Sequence, residues 1–148
     1  MKTMLRSLPL ILMCLLFSCS QVTADDDKPI DFVDLPEHAQ TFVSNYFAEK
    51  TVALAKVESG LFRKKYDVIF TDGTKLEFDG KGNWTEVDCR KSSVPADVVP
   101  TEISKYLAST YSDAQILKIE HEDGDYEVSL SSGMEITFNK KFQVIDID

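Results

Sequence analysis

The sequence predicts an α+β protein of two tandem units. Each unit is a helix followed by a four-stranded antiparallel meander, with the helix on one side of its sheet. Three observations carry this: the chain of 148 residues repeats itself, each copy opens on a helix-period apolar stripe, and the period then drops to two. Residues 35–58 match 99–120, so that Pro36 meets Pro100, Phe42 meets Tyr106, Phe47 meets Tyr111, and Lys56-Val57-Glu58 meets Lys118-Ile119-Glu120. Further on, Tyr66 meets Tyr126, Val68 meets Val128, Gly73 meets Gly133 and Phe78 meets Phe138. Proline, glycine and aromatic positions do not coincide in this way by chance.

Residues 1–24 read as an export signal. Lys2 and Arg6 precede an apolar run over 8–17, and Val22-Thr23-Ala24 offers a small-residue cleavage site. The apolar run is too short for a bilayer span, which needs roughly 20 residues. An alternative sits in the same segment: Leu16-Phe17-Ser18-Cys19 looks like a lipobox, in which Cys19 would be lipidated and become the N-terminus. Only in that case is a membrane partner expected. Because the signal holds two basic and no acidic residues, residues 25–148 carry 14 Lys and Arg against 25 Asp and Glu, a net −11. So acidic a chain, with no basic cluster beyond Arg63-Lys64-Lys65, is a poor binder of nucleic acid.

Residues 25–34 read as a flexible acidic lead, 35–89 as the first repeat, 90–98 as a polar linker and 99–148 as the second repeat. Pro36 and Pro100 suit a first helical turn, and Glu37 and Glu102 suit its positive end. Ala39, Phe42, Val43, Tyr46 and Phe47 form one apolar stripe; Ile103, Tyr106, Leu107 and Tyr111 form the other. Strands are predicted near 52–58, 63–70, 74–79 and 84–88, then near 115–121, 125–130, 134–139 and 143–147. Apolar patterning selects a three-residue loop at Thr71-Asp72-Gly73, pairing Val68 with Leu76 and Tyr66 with Phe78, with Gly73 left-handed. A four-residue loop over 80–83 would pair Phe78 with Thr85 and Leu76 with Val87. That register turns Trp84 and Val144 to the open face.

These residues resemble the PepSY-like tandem-repeat proteins exported by Bacteroides-type bacteria, which share the fold of the β-lactamase inhibitor protein. The resemblance spans about residues 30–148 and rests on the (L/V)P…(F/Y) helices, the K-(V/I)-E strands, Y-(D/E)-V-x-(F/L)-x-(D/S)-G-x-x-(L/I)-x-F, and Gly82-Asn83-Trp84-Thr85-Glu86-Val87-Asp88. The second copy departs from it, with Lys141-Phe142-Gln143-Val144 in place of the Gly-Asn-Trp stretch. It implies helices on one face and an open sheet on the other, and no catalytic residues.

No nucleophile elbow, phosphate-binding glycine loop or zinc motif is present. Cys89 is the one cysteine beyond the signal and reads as a strand-end thiol between the copies. Glu120-His121-Glu122-Asp123-Gly124-Asp125 could wrap a cation, but its spacing fits no EF-hand and it reads first as a hairpin turn. Trp84 and the hairpin Leu61-Phe62-Arg63 are the candidate partner contacts, as exposed aromatics beside charges. The expected function is an exported, non-enzymatic protein-binding module, an inhibitor of a peptidase or other envelope enzyme, acting through the open face without a cofactor. The alternative is a periplasmic binder of a small ligand or divalent cation.

Overall fold

The computed structural model describes residues 27–148. The signal segment, Cys19 and Asp25-Asp26 lie outside the described residues. The chain runs β1 (Asp27–Ile30), α1 (Glu37–Tyr46), β2 (Val52–Ser59), β3 (Lys64–Phe70), β4 (Lys75–Asp79) and β5 (Trp84–Asp88). It continues with α2 (Thr101–Thr110), β6 (Ile116–Glu122), β7 (Asp125–Leu130), β8 (Glu135–Phe138) and β9 (Val144–Ile147). All nine strands form one antiparallel sheet in sequence order. Pro36 and Pro100 sit at the residue before each helix, in extended backbone, where a missing N–H is no loss.

Alternation along the strands sorts the side chains onto two faces. On the helix side, Val68, Leu76, Val87, Ile119, Val128 and Ile136 are cross-strand neighbours in one continuous row, each fully buried. Ala39 and Val43 of α1 and Ile103 and Leu107 of α2 close over this row in a single core. Aromatic pairs add directional packing: Phe42 meets Phe78 edge-on at 5.7 Å, and Tyr106 meets Phe138 likewise at 5.5 Å.

The lead is not free as the sequence reading had it. Residues Asp27–Ile30 add an edge strand, Lys28 opposite Val57 and Ile30 opposite Ala55, and Lys56 Nζ holds Asp27 at 2.7 Å. The polar linker is also partly core. Val94 and Val98 are buried, and Val94 N–H donates to Ile116 O at 2.8 Å. Its Ser and Lys content hid two valines that cover the junction.

The three-residue loop holds: Phe70 N–H donates to Thr74 O, Val68 faces Leu76, and Gly73 has φ +88°. The next hairpin corrects the reading. Asp79 N–H donates to Asn83 O, closing a loop of 80–82 with Gly82 at φ +87°. Phe78 then faces Trp84, and a bulge restores the expected Leu76–Val87 pairing below. The β8–β9 hairpin does the same, with Phe138 facing Val144. Trp84 and Val144 therefore lie on the helix side, packed against the core, and not on the open face. One extra residue in the strand reverses the face, since side-chain direction has a period of two.

Gly82 is pressed against the start of α1, where a Cβ would stand 2.7 Å from Pro36 Cβ and 3.0 Å from Ala39 N. Gly133, equally left-handed, has open space around it. Gly82→Ala is expected to destabilise the fold by about 2–4 kcal/mol and Gly133→Ala by about 1 kcal/mol, read from urea midpoints. Equal losses would show that backbone conformation alone, without the helix contact, sets the cost.

Candidate functional site

The sheet face away from the helices carries a second row. Asp67, Glu77, Glu86, Glu120 and Glu127 are successive cross-strand neighbours on β3 to β7. Each sits beside an apolar residue of the buried row, so the same alternation that builds the core aligns the carboxylates. Like charges directly opposite one another repel. Three lysines offset this: Lys56 reaches Glu58 at 3.0 Å and Asp67 at 3.2 Å, Lys75 reaches Glu77 at 2.5 Å, and Lys118 reaches Glu120 at 3.0 Å and Glu86 at 3.3 Å.

Protons share the remaining charge. Burial, with a hydrogen bond to Glu120 as the second cause, pushes the Glu86 carboxyl up to about 7. Burial also pushes Glu120 upward, but the hydrogen bonds it accepts from Glu86 and Lys118 outweigh this and hold it below its ordinary value. Glu127 is raised by burial and by its own hydrogen bond to Glu120. Glu120, the fourth of the five, is thus held ionised between two neighbours that keep their protons more readily. At the end of the row, Asp67 is buried and raised, with Lys56 and Lys75 as its ion partners. Of this row the sequence singled out only Glu120, as part of the 120–125 stretch that could wrap a cation, and not the row itself. The β3–β4 register already placed Asp67 beside Glu77, but the β5–β6 pairing that joins the two halves was not foreseen, and without it the row has no middle.

A cleft of about 1110 Å³ opens above the β4–β5 hairpin. Phe62 and Arg63 of the β2–β3 hairpin line one side, His121 and Glu122 of β6 the other, and Trp84 lies between. Trp84 fills the seam between the halves, 6.4 Å from Phe42 of α1, 5.8 Å from His121 and 6.4 Å from Tyr126, ring centre to ring centre. His121 stacks on Tyr126 at 4.3 Å. Leu61 and Phe62 are 91% and 92% exposed at the hairpin tip, and Arg63 pairs with Glu122 at 3.6 Å. The structure therefore keeps Leu61, Phe62 and Arg63 together at a tip and separates Trp84 from the open face.

Cys89 is buried, and burial pushes its thiol up to about 11, so it carries no thiolate at neutral pH. Residues 120–125 comprise the end of β6, the two-residue turn Asp123-Gly124 and the first residue of β7, and among the described residues no three His, Cys, Asp or Glu side chains converge to hold a metal ion.

Helices on one side of a long antiparallel sheet and a charged, open opposite face define a sheet-platform α+β protein. The chain belongs to the PepSY-like family: the family described as "Putative beta-lactamase-inhibitor-like, PepSY-like" matches residues 64–146. Among solved structures, it is similar to a "putative periplasmic protein" of the DUF2874 family from Bacteroides vulgatus, at 58% identity over 84% of this chain and 98% of that one, with TM-score 0.83. A "putative calcium-regulated periplasmic protein" from Bacteroides thetaiotaomicron is 53% identical over 84% of this chain and 98% of that one, with TM-score 0.82. A third, a Bacteroides vulgatus periplasmic protein described as of unknown function, is 35% identical over 82% and 98%, with TM-score 0.78. No curated protein matches the chain.

Folded Glu86 keeps its proton to about pH 7, whereas an unfolded glutamate loses it near 4.5. The folded state therefore binds more protons between these values. The stability this group contributes is complete below the lower value and is lost as pH rises through about 7. Glu86→Gln is expected to stabilise the protein by on the order of 1–2 kcal/mol at pH 8 and to give no gain at pH 4, by urea unfolding. A loss at pH 8 would mean that the ion pair with Lys118 outweighs burial.

Proposed function

We propose that the protein is a periplasmic, non-catalytic protein-binding module that engages an envelope or secreted protein, as an inhibitor of a peptidase or other enzyme, through its open sheet face and the hairpin tip beside it. The observation that carries this reading is the tip itself. Leu61 and Phe62 stand almost wholly in water on a two-strand hairpin, at a cost that core packing does not offset. Such an apolar tip, flanked by charges, is the usual form of a binding anchor. The periplasmic descriptions of the similar structures support the location. The inhibitor-like description of the family and the protonated, buried state of Cys89 support a non-catalytic role.

We also infer that the chain is a tandem duplication. The support is local: Asp79 Oδ1 accepts from the N–H of Lys81 and Asn83, and Asn139 Oδ1 accepts from the N–H of Lys141 and Gln143. Each hairpin is followed by a bulge at the same place. The first copy alone has the Leu61-Phe62 tip, so the copies are not equivalent in binding.

The test is capture from Bacteroides envelope extract. Leu61→Asp with Phe62→Asp is expected to keep the parent melting temperature, because both positions are exposed, and to lose the captured proteins. Unchanged capture would exclude the tip as the anchor. A second reading, divalent-cation binding, is favoured by the calcium-regulated description of the 53% identical relative. It predicts that 1 mM calcium raises the melting temperature and that Glu120→Gln abolishes the rise; no shift excludes it.

A further inference from the structure

The sheet ends differently at its two edges. At one, β1 carries Lys28 and Pro29, a charge and a residue without an N–H, which blunt an edge against further strands. At the other, β9 has neither. It reads Val144-Ile145-Asp146-Ile147, with Ile145 55% and Ile147 45% exposed. Its backbone is open as well. Asp148 and Glu135 exchange both of their backbone hydrogen bonds, so alternation along the ladder turns the N–H and C=O of Ile147 away from β8.

The molecule itself shows what fits such a strand. In its hairpin β5 holds the place that β9 holds in the last one. Trp84 and Val144 face Phe78 and Phe138, a bulge follows, and Val87 and Ile147 face Leu76 and Ile136. Val87 is nevertheless fully buried. What β5 has and β9 lacks is β6, which runs antiparallel along its outer side and sets Ile119 against Val87. β6 also brings Lys118 opposite Asp88, from where its ammonium reaches Glu86 at 3.3 Å. On β9 the corresponding residues are Ile147, Asp148 and Asp146, and the buried apolar row runs out into water at Ile147. A second copy answers this edge poorly. Neither β8 nor β9 holds a basic residue, so pairing β9 with itself would crowd Glu135, Asp146 and Asp148 against the same acids. A strand with an apolar residue between two basic ones satisfies both the apolar and the acidic positions.

We propose that β9 takes up an extended segment of a partner protein as an antiparallel tenth strand, with an apolar residue opposite Ile147 and lysine or arginine opposite Asp146 and Asp148. This rests on the reading of the chain as a protein-binding module, to which it adds a main-chain contact away from the Leu61-Phe62 tip. Backbone bonds to Ile147 supply the attraction, and the alternating side chains supply the selectivity. Docking requires no break in the fold, because the groups it uses face outward already.

The test is a titration of the nitrogen-15-labelled protein followed by amide NMR. The probes are Ac-Val-Lys-Ile-Lys-Val-NH2, Ac-Val-Glu-Ile-Glu-Val-NH2, and the lysine peptide N-methylated at its isoleucine, which keeps the side chains and loses the central N–H. The lysine peptide is expected to shift the amides of Ile145 to Asp148 saturably and to slow amide exchange at Ile147. The other two are expected to bind at least tenfold more weakly. Ile147→Pro gives β9 the device that Pro29 gives β1, and is expected to weaken the lysine peptide at least tenfold with the melting temperature unchanged. Asp146→Lys with Asp148→Lys, both exposed, keeps the question answerable if the proline variant fails to fold; it is expected to turn the preference toward the glutamate peptide. Equal binding of the N-methylated peptide, shifts centred away from β9, or an unchanged charge preference overturns the proposal. So does sedimentation showing a dimer that Ile147→Pro dissociates, since the occupant would then be a second copy. A flat titration with envelope capture intact overturns the β9 site and leaves the module reading standing; a flat titration with no capture overturns both.

Discussion

Three residue pairs join the two halves of this molecule: Glu86 with Glu120, Val87 with Ile119, and Asp88 with Lys118. Everything distinctive about the structure passes through that short ladder. Val87 and Ile119, both without solvent exposure, make one apolar row of what would otherwise be two. A unit of some 50 residues is close to the lower limit for an independent core. Shared across the seam, the core extends beneath both helices. The same ladder sets Glu86 against Glu120 on the opposite face, so continuity of the core and crowding of the carboxylates have one cause.

That coupling explains the electrostatics of the open face. Alternation forces the residue beside each buried aliphatic to point outward, and at five consecutive strands that residue is acidic. Lysines Lys75 and Lys118 lie one step along their strands from the apolar row, on its other side, and pair along the strand with Glu77 and Glu120 and across strands with Glu86. Protonation of Glu86 removes the charge that the lysines leave over. The face is therefore organised as alternating sign and shared protons, not as a uniformly acidic surface, despite the net charge of the chain.

Most of the fold was legible because its signals are local. Proline before each helix, the aromatic stripes, and Gly73 and Gly133 at turns define elements within a few residues of one another, and every predicted helix and strand lies where it was expected. The failures have a common physical origin in non-local or single-residue effects. The bulge after residue 84 inserts one residue and turns Trp84 to the helix side, which alternation alone cannot anticipate. The edge strand at Asp27–Ile30 exists because β2 offers an unpaired edge, which is a property of the partner and not of the acidic segment itself. The glutamate row needed the seam. Leu61, Phe62 and Arg63 were readable as a tip because no apolar alternation places them on either sheet face.

The seam also has a kinetic consequence. Within each half, apart from β1, which meets β2 across the whole of α1, every strand pairs with its immediate successor across a tight turn, so those ladders close small loops and can form early. Joining Asp88 to Lys118 instead requires closing a loop that contains the linker and the whole of α2. Two separately collapsed halves, each with an exposed sheet edge at β5 or β6, must then find each other before the sheet is complete. Until they do, those edges are open to strands of another chain, so the interval before the seam closes is when this protein is most exposed to exchanging halves between molecules.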